Sequence, residues 1–236
     1  MNTKKATYFN DLKNTTITTK TPVPETVIQK NDLLNITVSS LDAGASAVFN
    51  APNILPVTTT NNTLLGYLVG NDGTIQFPIL GAIKAEGLTK DQLKENIQKK
   101  LIDQDLLKDP IVSVRFLNFK VTVLGEVKNP TVIDVTNEKI SLLEAIGLAG
   151  DLTIYAKRDN VLVIRENANG DKDVRRINLN SIELLSSPYY YLKSNDVVYV
   201  EANRSKVASS GRGQYWIPAV LSALSFLAII FDHYAK

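Results

Sequence analysis

Few side chains in this sequence could carry out covalent chemistry. Its 236 residues include a single histidine, His233, and no cysteine. One imidazole makes a Ser-His-Asp triad or a multi-histidine metal site very hard to build. The lack of thiols removes disulfides, thiolate zinc sites and cysteine nucleophiles. The carboxylates show no spacing that singles out an acid/base pair, and Gly66, Gly70 and Gly73 do not form a phosphate-binding fingerprint. The expectation is a chain with no catalytic residue, no metal ligand and no cofactor, and not an enzyme.

Some residues offer weaker chemistry. Tyr189-Tyr190-Tyr191 could stack on sugar rings, although tyrosine is common in strands and a packing role fits it better. Asp72-Gly73 reads as a hairpin turn more than an interface loop. Glu126 reads as a solvated or interface carboxylate. Arg212, between Gly211 and Gly213, suits either lipid headgroups or the solubilising of a linker. Net charge is only +2, and the doublets Lys4-Lys5, Lys99-Lys100 and Arg175-Arg176 lie far apart. No basic stripe follows a phosphate backbone, so no nucleic-acid partner is expected.

The most informative segment is apolar. Trp216 to Phe231 contains no charge and only two serines. As a helix it would be about 24 Å long, short of the roughly 30 Å hydrocarbon core. Tyr215-Trp216 at one end and Tyr234 at the other suit the two interfacial belts. At about 100° per residue, Trp216, Ile217, Val220, Leu221, Leu224, Leu227 and Phe231 are read as the lipid-facing side. Ala219, Ser222, Ala223 and Ser225 form a small-residue face that would meet neighbouring helices or a lumen. The alternative is an ordinary buried helix docked on a domain.

Upstream elements must position this segment. Residues 1–25 are rich in Thr, Asn and Lys and read as an extended strap or tail. Val27-Ile28, Asn31-Asp32 and Leu33 to Val38 read as strand, turn and strand, followed by a polar loop from about Asp42 to Thr63. Tyr67-Leu68-Val69 and Thr74 to Phe77 flank Gly70-Asn71-Asp72-Gly73, a hairpin pattern. Thr89 and Gln92 make a capping box for a helix with Leu93, Ile97 and Leu101 on one face, and Val112, Val114 and Phe116 alternate as a strand. A second unit starts near Phe119. It has strands at Val121 to Val127 and Val132 to Val135, and a capping box at Ser141 and Glu144 opening a helix that stops near Gly150. A hairpin closes at Asn169-Gly170, and a last strand runs to Val200. The Asn-Asp turn and strand at 30–36 and at 194–200 look alike. Residues 202–214 read as a linker.

These residues together resemble the polysaccharide export family of outer-membrane proteins, the Wza type. Val27 to Val38, Tyr67 to Gly81 and Gly87-Leu88-Thr89 with its helix are similar to the family's export domain. Val123-Leu124-Gly125-Glu126-Val127-Lys128-Asn129-Pro130, Leu142 to Ile146 and Ala149-Gly150 are similar to the soluble-ligand-binding β-grasp (SLBB) domain. The fold class this implies is α+β: strap 1–25, export domain 26–117, SLBB domain 118–201, linker 202–214 and a C-terminal transmembrane helix over 215–236. Three departures stand out. There is one SLBB unit where longer relatives have two or more. Thr131 follows Asn129-Pro130 where a glycine is usual, and Gly150-Asp151 replaces a glycine pair. Relatives also carry a signal peptide and an acylated cysteine, expected here just upstream in the precursor.

The resemblance implies a homo-oligomeric ring, commonly of eight subunits, in the Gram-negative outer membrane with its bulk in the periplasm. Exported polysaccharide, outer-membrane lipid and an inner-membrane polysaccharide copolymerase are the implied partners. Two alternatives stay open. A membrane-tethered module could bind carbohydrate or a partner without a pore. A polymer hydrolase or lyase would need a carboxylate pair that the sequence does not display.

Overall fold

The computed structural model describes residues 7–10, 25–50, 54–55, 64–167, 170–209, 218, 220–227 and 230. In the first unit, β1 (Leu33–Ser39) is followed by α1 (Ala43–Ala47), a 3-10 turn at Val48–Asn50, β2 (Ile54–Leu55), β3 (Leu64–Leu65) and β4 (Tyr67–Leu68). Then come β5 (Thr74–Phe77), β6 (Gly81–Lys84), α2 (Lys90–Asp103) and β7 (Ile111–Phe116). β1 lies between β4 and β7, antiparallel to both. Thr89 accepts from the Gln92 N–H at 3.2 Å, and Gln92 Oε1 accepts from the Thr89 N–H at 2.9 Å. This reciprocal cap starts α2 where the spacing places it, and it is worth about 1 kcal/mol. Leu93, Ile97 and Leu101 are fully buried along one helix face, so a stripe of three branched side chains anchors α2 in the core.

The Gly70–Gly73 turn forms, but it does not close a hairpin. Gly70 N–H donates to Thr74 O at 2.8 Å and Gly73 N–H to Gly70 O at 2.9 Å. The flanking strands pair elsewhere: β4 with β1, and β5 with β6. A pair of bonds explains this, because Val69 N–H donates to Asp32 O and Asn31 N–H to Val69 O, each at 2.9 Å. The chain entering the turn is therefore already held by the turn before β1. Val27, expected in a strand, makes only an isolated bridge to Thr89. The expected polar loop contains α1, the 3-10 turn and the β2–β3 pair; residues 51–53 and 56–63 of it lie outside the described residues.

In the second unit the order is β8 (Lys120–Gly125), β9 (Thr131–Asp134), β10 (Ile140–Ser141), α3 (Leu142–Leu148), β11 (Ala156–Glu166) and β12 (Lys172–Ile177). A 3-10 turn at Ile182–Ser186, β13 (Tyr191–Leu192), β14 (Val197–Ala202) and α4 (Arg204–Ser209) complete it. Five strands form one sheet in the order β12-β11-β14-β8-β9. β14 and β8 are parallel and the other neighbours antiparallel. Val121, Val123, Val161, Val163, Val198 and Val200 are fully buried on the inner face of the sheet, the side that α3 covers with Leu142, Ala145 and Ile146. Ser141 and Glu144 cap α3 reciprocally. The helix α4 corrects the linker reading: Ala202 still belongs to β14, and Arg204–Ser209 is helical. Asn203 Oδ1 accepts the Lys206 N–H at 3.1 Å there, an N-cap in an otherwise small-residue stretch. Residues 210–214 lie outside the described residues.

The two units share one continuous apolar core. Glu138 clasps them: one carboxylate oxygen accepts the Phe116 N–H at 3.0 Å and the other pairs with Lys90. Of the N-terminal strap, residues 7–10 are described, and they dock on the second unit. Phe9 N–H donates to Leu179 O at 3.2 Å, Asn10 N–H to Asn180 O at 2.9 Å, and Tyr8 OH to Asp151. The Tyr8 ring covers the buried Arg158 guanidinium at 5.8 Å. Asp151, where the family resemblance implies a second glycine, has φ 71° beside Gly150 at φ 80°. The glycine-like backbone is kept, with the Asp151 side chain accepting the Leu152 N–H at 2.6 Å.

The resemblance between the two Asn-Asp turns holds in three dimensions. Asn31 and Asn195 both take left-handed φ, 67° and 65°. Asp32 and Asp196 each accept an N–H from the residue three earlier, Gln29 and Lys193, both at 2.8 Å. They differ in compensation. Asp196 is paired with Arg165, whereas burial alone, partly offset by the Gln29 bond, pushes the Asp32 carboxyl above the usual range. A raised folded pKa means that ionisation opposes folding: the penalty is absent at low pH and complete above the folded pKa. Asp32→Asn, which keeps an oxygen for Gln29, is therefore expected to stabilise the protein at neutral pH, on the order of 1 kcal/mol. Urea midpoints should converge below the ordinary carboxylate range; a variant less stable at pH 7 would show that the charge is compensated.

Candidate assembly surfaces

The residues singled out in the sequence fall into separate places. Tyr189, Tyr190 and Tyr191 are half-buried packing groups. Tyr189 OH donates to Asp173 and its ring lies 4.7 Å from the Arg165 guanidinium; burial, then the Asp173 bond, pushes this phenol up. Tyr190 O accepts the Leu142 N–H at 2.8 Å, and the Tyr190 and Tyr191 rings meet edge-on at 4.9 Å. Glu126 accepts from Thr153 Oγ1 at 2.7 Å and lies 3.4 Å from Lys206 Nζ. Asp72 accepts the N–H and hydroxyl of Thr74, and that N–H above all holds its carboxyl below the usual range. None of these forms a reactive pair, and no group of three or more metal-ligating side chains occurs among the described residues.

The C-terminal segment is helical at Pro218 and over 220–227, with Ile230 also helical. Val220, Leu221, Leu224 and Leu227 are 52–61% exposed, a bulky side with no cover from the rest of the described chain. Ser222 and Ser225 donate to the carbonyls of Pro218 and Leu221 at 2.8 and 2.9 Å, so both hydroxyls are satisfied within the helix. Ala223 shares that exposed helix. Trp216, Ile217, Ala219 and Phe231 lie outside the described residues. No helix among the described residues is long and apolar enough to cross a membrane.

A second uncovered apolar surface was not anticipated. The pairing register places Leu162, Tyr199 and Leu124 in one row across the five-stranded sheet, ending at Arg176. A parallel row holds Val174, Ile164, Val197, Thr122 and Val132. These rows lie on the face opposite α3. Leu124, Val132, Val174 and Tyr199 are 42–55% exposed. At one edge stand the pairs Lys157–Glu201, 2.8 Å, and Arg176–Glu201, 3.2 Å; at the other is Lys172–Glu166, 2.7 Å. Hydrogen bonds from Lys157 and then Arg176 hold the Glu201 carboxyl below its usual range. An apolar centre with a polar rim is the anatomy of a protein contact surface. The sequence did carry a sign of it: Val161-Leu162-Val163-Ile164 and Val197-Val198-Tyr199-Val200 are continuous apolar runs, as in strands covered on both faces.

The molecule is therefore an α+β scaffold of two fused units that offers surfaces for contact. Residues 20–117 match the family described as polysaccharide biosynthesis/export protein, and residues 119–200 match the SLBB domain. The chain belongs to the polysaccharide export family, with one SLBB domain after its export domain. This is an export family, not an enzyme family. The chain is 31% identical over 150 residues to the EPS I polysaccharide export outer membrane protein EpsA of Ralstonia solanacearum, covering 62% of this chain and 39% of that relative. It is 37% identical over 90 residues to the protein of the same description from Ralstonia nicotianae, covering 37% of this chain and 23% of the relative. The matched stretches thus span well under half the length of these relatives.

Proposed function

We propose that this chain is one subunit of a homo-oligomeric ring that conducts polysaccharide through the periplasm and across the outer membrane. Family membership supports export. The observation that carries the ring is the pair of uncovered apolar surfaces, the outer sheet face and the C-terminal helix. Leaving them in water is unfavourable by about 25 cal/mol for each Å² of apolar area; self-association covers the sheet face, and lipid covers the bulky side of the helix. In this reading Val220, Leu221, Leu224 and Leu227, with Trp216, Ile217 and Phe231, face lipid. Ala219, Ser222, Ala223 and Ser225 face neighbouring helices or the lumen, with the 65% exposed Phe226 on that same side and both serine hydroxyls satisfied within the helix. Eight copies are the working number, and an inner-membrane polysaccharide copolymerase is the partner that feeds the pore. The subunit contributes shape, since tight contacts would stall a moving polymer.

Mass measurement and imaging of the detergent-solubilised chain test this directly. Rings are expected; monomers alone would refute the proposal. Leu124→Glu combined with Tyr199→Glu places two carboxylates in the middle of the outer sheet face. It is expected to lower the assembled fraction at least tenfold, equivalent to about 1.4 kcal/mol per contact, while the circular dichroism of the subunit stays unchanged. Intact rings from this variant would remove the sheet face from the interface.

A further inference from the structure

A cleft of about 410 Å³ lies at the junction of the two units, within the size range of ligand pockets, which favour such boundaries. Its walls are α2, β7 and the turn of residues 136–138, and they are mostly polar. Glu138 makes the cleft rigid, since its carboxylate ties Lys90 of one wall and the Phe116 N–H of another to the third. That clasp also consumes the charge of Lys90. Lys94 and Arg115, which also line the cleft, have no carboxylate within ion-pair distance among the described residues. Ser113, Thr136 and Asn137 add hydroxyl and amide groups beside them, and Asp91 adds a second carboxylate to that of Glu138, so the lining holds three cations, Lys90, Lys94 and Arg115, against two carboxylates.

Two cations without an ion-pair partner among the described residues, next to small hydrogen-bonding groups, match a particular chemistry, a sugar that carries a carboxylate. The hydroxyls meet Ser113, Thr136 and Asn137, and the carboxylate meets Arg115, whose planar fork accepts it in bidentate fashion, with Lys94 as a point charge. We propose that this cleft is a weak site for uronate residues of an acidic polysaccharide, an inference that rests on the reading of the chain as a polysaccharide conduit. Half-open cation sites give contacts that exchange readily and weaken with salt, as a transit site requires.

The experiment is retention of the detergent-solubilised full chain on a column bearing immobilised oligogalacturonate. Retention is expected at low salt, and Lys94→Glu with Arg115→Glu should reduce it about tenfold, the scale of two partly exposed charge contacts. Lys94→Gln with Arg115→Gln should reduce it in the same direction, and serves if the first pair fails to fold. Lys99→Glu with Lys100→Glu, on the same helix but outside the cleft, should leave retention unchanged. Soluble oligogalacturonate should elute the chain where malto-oligosaccharide or inorganic phosphate at equal concentration does not. Full retention of both cleft variants, or equal elution by phosphate or by the neutral sugar, would overturn the proposal. Ring formation is scored separately on the same variants: rings without retention sink the site and spare the conduit, and retention without rings does the reverse.

Discussion

Gly125→Ala is expected to prevent folding at 37 °C, a loss above about 4 kcal/mol. Gly125 ends β8 at φ 93°, and a Cβ built there would lie 2.0 Å from the Val200 carbonyl oxygen and 2.9 Å from its carbon. Both contacts are backbone, in the parallel β8–β14 pair where Gly125 registers with Val200, so no rotamer can relieve them. Moving Val200 away would also break the 2.9 Å bond from the Glu126 N–H to the Val200 carbonyl. Gly170→Ala is the matched control. Its φ is 85°, but nothing lies within 4 Å of the added carbon, so only the backbone penalty of about 1–2 kcal/mol remains. Thermal melts of the two variants should differ widely. A Gly125→Ala chain melting close to the unsubstituted protein would show that β8 does not approach β14 in this way.

Asp196→Ala carries the next largest effect. The Asp196 carboxylate is fully buried and accepts from Arg165 Nε at 3.0 and 3.2 Å, from Arg165 Nη2 at 2.6 Å and from the Lys193 N–H at 2.8 Å. Arg165 is only 8% exposed and otherwise bonds the Tyr191 carbonyl at 3.2 Å. Deleting the carboxylate strands a guanidinium in the core, which costs about 3–5 kcal/mol, or a melting temperature lower by roughly 10 °C for a chain of this size. Removing both partners with Asp196→Asn and Arg165→Met should recover much of that loss, because no uncompensated charge remains. A double variant as unstable as Asp196→Ala would show that a stranded guanidinium charge is not the source of the loss. Removing the charge at its counterpart, by Asp32→Asn, is expected to act in the opposite sense, although the two turns share one shape.

Local rules made much of the fold legible. Both capping boxes, Thr89 with Gln92 and Ser141 with Glu144, start helices where the sequence places them, because each is a bond between residues three apart. The Val112–Phe116 alternation and the hairpin joining β11 to β12 follow from short-range patterns as well. Long-range choices were not legible. Nothing near Tyr67 indicates that β4 pairs with β1 rather than across its own turn, since the deciding bonds come from Asn31 and Asp32. The docking of Tyr8 and Phe9 on residues 151 and 179 is likewise invisible to periodicity. The outer sheet face was half legible: its continuous apolar runs were read as strands, but only the register shows that Leu124, Tyr199 and Leu162 share one row.

The Glu138 clasp and the shared core bear on how an assembly of such chains could change its bore. With apolar packing running unbroken from Ile28 to Val200 and a salt-bridged carboxylate pinning the boundary, each subunit is braced against bending along that seam. An aperture built from these pieces would widen or narrow like the blades of a camera iris, each leaf keeping its form while sliding on its neighbours.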